Sequence, residues 1–214
     1  DNHNFIVTDI NNNGVIVSNC HHISSEVFSR ALPKVSFKYT LGLTATPNRS
    51  DGLQKVFEWF LGPIVYKGKK DKQHNVFIKV FNIEDNNETY CKFEKGYDAK
   101  PVTARMINNV ANYLPRTNLI ISIIQQVMSE PERKMILLSD RRDHLKTFYT
   151  KLTELGYDVG YYVGGMKQKD LDISETKPII LGTFSMSSEA LDIPELNTLF
   201  MTTPKSNIEQ SVGR

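Results

Sequence analysis

Side chains able to do chemistry gather at the ends of apolar runs in this chain. Val15 to Arg30, VIVSNCHHISSEVFSR, passes from an apolar run into Ser18, Asn19, Cys20, His21 and His22. Thiol and imidazole are metal ligands, but three adjacent residues cannot all point at one ion in regular backbone, and zinc sites use spaced ligands. Hydrogen bonding within the sheet rim is the plainer use of His21 and His22. Thr44, Ala45 and Thr46 follow a second apolar run, and a short hydroxyl-rich turn in that position usually caps a helix. In Met135 to Leu145, MILLSDRRDHL, Asp140 is placed to cap a helix, with Arg141 and Arg142 solvated beside it. Leu181 to Pro194, LGTFSMSSEALDIP, again puts hydroxyls after an apolar run, and the chain closes on Asn207 to Arg214, NIEQSVGR.

The elements that must position these residues are buried strands alternating with helices. Apolar runs at Phe5 to Thr8, Val15 to Ser18, Tyr39 to Leu43, Val76 to Phe81, Met135 to Ser139, Val159 to Val163, Ile179 to Thr183 and Leu199 to Thr202 read as strands. Helical spacing joins Ile120, Ile123, Ile124 and Val127 within Asn118 to Ser129. It also joins Leu145, Phe148, Tyr149 and Leu152 within Asp143 to Leu155. Such alternation predicts an α/β fold with a mainly parallel sheet covered on both faces, and ligand sites of such sheets lie at the carboxyl ends of strands. The polar stretch KGKKDKQHN, Lys67 to Asn75, has the composition of an exposed linker, and Glu84 to Pro101 that of a surface hairpin or loop.

One connection is unusual. Asp9 to Gly14 is far shorter than the roughly dozen residues that a crossover between parallel strands needs. Either the strands form an antiparallel hairpin turning at Asn12-Asn13-Gly14, or a segment is missing between them; our reading favours the missing segment.

Composition narrows the function. The 214 residues carry 26 Lys+Arg against 24 Asp+Glu, a net charge of +2, which excludes a whole-surface electrostatic grip on nucleic acid and leaves only local binding. Cys20 and Cys91 have no metal-ligand spacing, and no signal peptide or long apolar run is visible, so a reducing, intracellular, soluble protein without a membrane span is expected.

The longest informative segment is Tyr39 to Lys67, YTLGLTATPNRSDGLQKVFEWFLGPIVYK. It resembles the XPB-type helicases of superfamily two and their relatives in large DNA viruses, whose motif three is a Ser/Thr-Ala-Thr that couples the two lobes. Thr44, Ala45 and Thr46 match it, and Pro47, Arg49, Asp51, Gly52 and Leu53 continue the pattern into Phe60, Leu61, Gly62 and Pro63. Ser18, Asn19, Cys20 and His21 then occupy the place of the family's Asp-Glu-x-His box. There the Asp holds Mg²⁺ through water and the Glu polarises the attacking water, tasks that need carboxylates. Ser18 and Asn19 supply none, and the phosphate loop G-x-x-x-x-G-K-[ST] is missing from the chain.

The second half is similar to the remaining motifs. By that resemblance Ser139, with Arg141 and Arg142, lies near the nucleic-acid backbone, Thr183 contacts a phosphate, and Asp192 approaches the nucleotide ribose. Ala190 stands where many relatives have Gly. Gln210, Gly213 and Arg214 resemble the start of motif six, with Gly213 at the nucleotide, Gln210 in the catalytic cleft and Arg214 as the first of two arginines that reach the γ-phosphate. No metal ligand set is expected in the chain itself.

The resemblance implies two RecA-like lobes, the first incomplete: residues 1–68, a linker at 69–75, and residues 76–214. It implies an ATP-dependent helicase or translocase that uses ATP and Mg²⁺ in its intact form, with DNA as the favoured track and RNA left open, working in a nucleus or at a viral replication site. The 214 residues alone are expected to be inactive. The rival is a non-catalytic nucleic-acid-binding or scaffold protein derived from a decayed helicase, for which Ser18, Asn19 and the short Asp9 to Gly14 connection speak.

Overall fold

The computed structural model describes residues 4–8, 14–19, 30, 34, 41–43, 54–68, 77–189 and 193–205. The chain divides into two compact units, Asp1–Ile78 and Lys79–Arg214.

In the first unit, strands β1 (Asn4–Thr8), β2 (Gly14–Asn19) and β3 (Leu41–Leu43) form a sheet in that order. β1 and β2 are antiparallel, Asn4 opposite Ser18 and Thr8 opposite Gly14, whereas β2 and β3 are parallel. This corrects the preference for a missing segment: antiparallel neighbours exchange hydrogen bonds across a short connection, so Asp9 to Gly14 is long enough as it stands. Helix α1 (Gln54–Leu61) stops at Gly62, whose φ of +84° suits a residue without a Cβ and whose N–H returns to the Glu58 carbonyl at 3.0 Å.

The chain passes irregularly from the first unit into the second. Residues 77–81 are in no strand, and Phe77, Ile78 and Val80 are exposed, so the strand expected over Val76 to Phe81 is not found: β-prone residues make a strand only where a ladder partner lies beside them. Asn87 folds the turn that follows, its side-chain oxygen accepting the amides of Thr89 and Tyr90 at 3.0 Å each. Lys95 and Pro101 bridge across a second turn, as expected of a surface hairpin or loop.

Helices α2 (Thr103–Asn112) and α3 (Leu114–Met128) come next, Pro115 opening α3 where its missing N–H costs nothing. Then β4 (Met135–Leu138), α4 (Arg142–Glu154), β5 (Val159–Tyr162), α5 (Gln168–Glu175), β6 (Ile179–Gly182), α6 (Phe184–Glu189) and β7 (Thr198–Met201) alternate. The sheet runs β5-β6-β4-β7 with every neighbouring pair parallel, the α/β class expected.

β4 and β6 are buried along their whole length because helices cover both faces. Met135 and Leu137 point to one face, where Ile120, Ile124, Leu145, Phe148 and Leu152 meet them. Ile136 and Leu138 point to the other, against Tyr162, Leu171, Ile180 and Phe184. Each such fully buried aliphatic side chain contributes about 1.5–3 kcal/mol, so these two layers hold the strand ends in place. Among the described residues no helix is long and apolar enough to cross a membrane.

Candidate nucleic-acid interface

The parallel register brings the carboxyl ends of β4, β6 and β7 level: Leu138 pairs with Gly182 on one side and Met201 on the other. Ser139, Thr183 and Thr202 each follow one of these three strand ends.

Ser139 is fully buried. Its Oγ accepts the Arg141 N–H at 3.1 Å and lies 3.1 Å from His144 Nδ1, while its own N–H binds the Gly182 carbonyl. The hydroxyl is thus turned inward as a joint, not outward to a nucleic-acid backbone. The helix cap differs as well. Arg141 is the N-cap of α4 without a side-chain bond, and the Asp140 amide donates to Thr203 Oγ1 at 2.9 Å. The Asp140 carboxylate instead stands 3.9 Å from Lys205 Nζ.

The arginine pair is engaged and not merely solvated. Arg141 Nη2 donates to the Ala104 carbonyl at 3.1 Å and Nε to Asn108 Oδ1, tying the β4 turn to α2. Arg142 Nη2 donates to the Gly164 carbonyl at 2.6 Å, reaching the loop after β5. Thr183 is half-buried; its carbonyl receives the Ser187 N–H at 3.1 Å to open α6, and among the described residues its hydroxyl has only Ser185 Oγ, 3.3 Å away. Among the described residues singled out in the sequence, Thr183 thus keeps a half-buried hydroxyl at this edge with no partner but Ser185.

Sequence reasoning missed Arg116, Thr202 and Thr203. Thr202 locks β7 to β4, its N–H and Oγ1 both donating to the Leu138 carbonyl at 3.0 and 2.8 Å. Arg116 Nη2 donates to the Thr202 carbonyl at 2.7 Å. The available signal was that Arg116 is the sole charged residue of the otherwise apolar or neutral α3. Burial lowers its pKa. Burial first, and the Arg116 charge second, push the His144 imidazole down to about 4, so it is neutral at pH 7.

At the first unit's sheet, Ser18 and Asn19 end β2 beside Gly42 and Leu43, and Leu43 immediately precedes Thr44 in the chain. A hydroxyl and an amide are neutral donors, which do not fit a hard dication such as Mg²⁺. Cys20, His21, Thr44, Ala45, Thr46, Asp192, Gln210, Gly213 and Arg214 lie outside the described residues, as does the linker at 69–75.

No protein-family model matches the chain. It is 35% identical over 205 residues to a putative ATP-dependent RNA helicase of Acanthamoeba polyphaga mimivirus, covering 94% of this chain and 39% of that protein. A probable helicase of Escherichia phage T5 is 26% identical over 209 residues, 94% of this chain and 44% of its own. A DNA 3'-5' translocase of Sulfurisphaera tokodaii is 34% identical over 70 residues, 33% of this chain and 16% of that protein. The chain is thus similar along nearly its whole length to helicases of large DNA viruses and phages. It spans about two fifths of the length of the viral and phage helicases it matches. Likeness to a solved structure, the Pyrococcus furiosus Hef helicase domain, is slight: TM-score 0.37 and 21% identity over 46% of this helicase relative and 22% of that chain.

Proposed function

We propose that this helicase relative forms part of an ATP-dependent motor that moves along a nucleic-acid strand, its second unit gripping phosphates at the carboxyl edge of the parallel sheet. The observation that carries the reading is the Thr183 hydroxyl, half-buried at that edge beside the Arg141-Arg142 turn, in a chain 35% identical along 94% of its length to an ATP-dependent helicase. Phosphate contacts position a strand without reading its sequence, which suits a motor. The division into two compact units, Asp1–Ile78 and Lys79–Arg214, supports a two-lobe design, and the 69–75 linker of our reading lies just before that boundary.

DNA is the track we favour, and RNA is the alternative; one relative is named as an RNA helicase and another as a DNA translocase. ATP is the fuel, held by Asp192, Gln210, Gly213 and Arg214. The neutral side chains at the β2 end, Ser18 and Asn19, do not fit Mg²⁺. Work in a nucleus or at a viral replication site follows from this reading alone.

A second reading rests on the same neutral pair, Ser18 and Asn19 at the end of β2: a nucleic-acid-binding scaffold that has lost hydrolysis. Nucleic-acid-stimulated ATP turnover by the intact protein separates the two. Turnover in the range of roughly 1–100 s⁻¹ supports the motor. Binding without turnover supports the scaffold, and the absence of both refutes each. For the interface itself, Thr183→Val is expected to weaken single-strand binding by roughly 2- to 12-fold, and by up to about 150-fold where the phosphate charge strengthens the lost hydrogen bond, with ATP affinity retained. Unchanged binding would remove Thr183 from the track.

A further inference from the structure

Beyond that edge, the second unit holds a cavity of about 530 Å³ walled by Asn82, Glu84, Tyr90, Arg116, Thr202 and Thr203. Its polar lining is unbalanced. Arg116 Nη1 is shut off from bulk water and has no hydrogen-bond partner, and no carboxylate pairs with this guanidinium among the described residues. The Thr203 hydroxyl accepts the Asp140 amide and has no acceptor for its own O–H among the described residues. The Tyr90 hydroxyl likewise has no partner there, although its ring is fixed by stacking on Tyr113 with centroids 4.7 Å apart. Thr202 is not free, since its hydroxyl already donates to Leu138.

One guanidinium nitrogen, Arg116 Nη1, and the Tyr90 and Thr203 hydroxyls therefore lie around one space without an acceptor among the described residues. A buried unpaired donor is costly until an acceptor arrives, the more so when it is charged. We propose that this cavity is a phosphate-binding site, in which Arg116, Tyr90 and Thr203 donate to the oxygens of one phosphate group. Guanidinium and hydroxyl donors match phosphate oxygens in geometry and charge. Arg116 is already held by its bond to the Thr202 carbonyl, so little rotamer freedom is lost on binding. Glu84 in the wall repels a doubly charged phosphate more than a singly charged diester, so the ligand expected is a nucleic-acid backbone phosphate. The site lies past Met201, the last residue of β7, and so adds a contact that the Thr183 edge does not supply. It does not depend on hydrolysis.

The test is direct binding to the intact protein. Titrations use a single-stranded oligonucleotide in one arm, and inorganic phosphate and a nucleoside diphosphate in the other. Tyr90→Phe keeps the stacked ring and Thr203→Val keeps the side-chain shape; each is expected to weaken binding by roughly 2- to 12-fold. Arg116→Gln is expected to weaken it by about 10- to 150-fold, with circular dichroism to confirm folding. Sensitivity in the oligonucleotide arm assigns a backbone phosphate, and sensitivity only in the other arm assigns a free phosphate. If folded Tyr90→Phe and Thr203→Val proteins bind every probe as the parent does, the site is refuted. Loss of Thr183-dependent binding without any change in these variants would refute this site and leave the motor reading standing.

Discussion

Replacing Ser139 by alanine separates a structural joint from a nucleic-acid contact. The side chain is fully buried and makes two hydrogen bonds, one from the Arg141 amide and one shared with His144 Nδ1, each 3.1 Å long. A neutral intramolecular hydrogen bond is worth about 0.5–1.5 kcal/mol net, so Ser139→Ala should lower stability by about 1–3 kcal/mol. For a unit the size of Lys79–Arg214 that corresponds to a fall in Tm of roughly 4–10 °C. Urea unfolding followed by circular dichroism gives the free energy, and the slope with urea should be unchanged if only the folded joint is affected. Nucleic-acid affinity, measured well below the new Tm, should stay within about twofold. A variant of undiminished stability that no longer bound nucleic acid would show the hydroxyl acting outward and would refute the joint.

His144 makes the same region sensitive to acid. Its folded pKa of about 4 lies below the ordinary 6.5, so the unfolded chain takes up the proton first as pH falls. The stabilising effect is present above about 6.5 and is lost as pH falls toward 4. Of the groups packed around it, Ser139 does not titrate and Arg116 stays charged. The wild type should lose about 2 kcal/mol more than His144→Gln between pH 7 and pH 5 in parallel denaturant titrations, and equal losses would contradict the assignment. Gly160 in β5 is packed so tightly that a Cβ there would stand 2.8 Å from Ser174 Cβ. Gly160→Ala should therefore cost about 1–3 kcal/mol, and a double-mutant cycle with Ser174→Gly should recover part of it; additive losses would count against the contact. In the intact protein, Ser18→Asp with Asn19→Glu should raise ATP turnover by roughly 10²–10⁴-fold if a general base is what the β2 end lacks. No change would show that hydrolysis is limited elsewhere.

Which parts were legible in the sequence follows from how each signal arises. β4 and β6 were readable because strands covered on both faces are continuous apolar runs, MILL and IILG. α4 was readable because its buried face, Leu145, Phe148 and Leu152, repeats at helical spacing; α3 was too, although Ile121 is buried in place of the expected Ile123 and Val127. α2 and α5 were not read, since each buries only one or two side chains and leaves little apolar period to see.

The sequence by itself determined the class of the fold, the order of the strands along the chain, and the resemblance to helicases that the mimivirus and phage relatives bear out over 94% of its length. Tertiary structure decided the direction of β1 against β2, because an alternating apolar run serves an antiparallel or a parallel neighbour equally well. It also decided where hydroxyls and guanidinium groups point. Ser139 and Thr183 both follow buried strands, yet one faces His144 and the other stays available. Arg116 gives Nη2 to the Thr202 carbonyl, 86 residues further along the chain, and keeps Nη1 without a partner among the described residues, only because the first turn of α3 meets the end of β7. A side chain's partner is set by what the fold brings within about 3 Å of it, and that proximity is not written in local spacing.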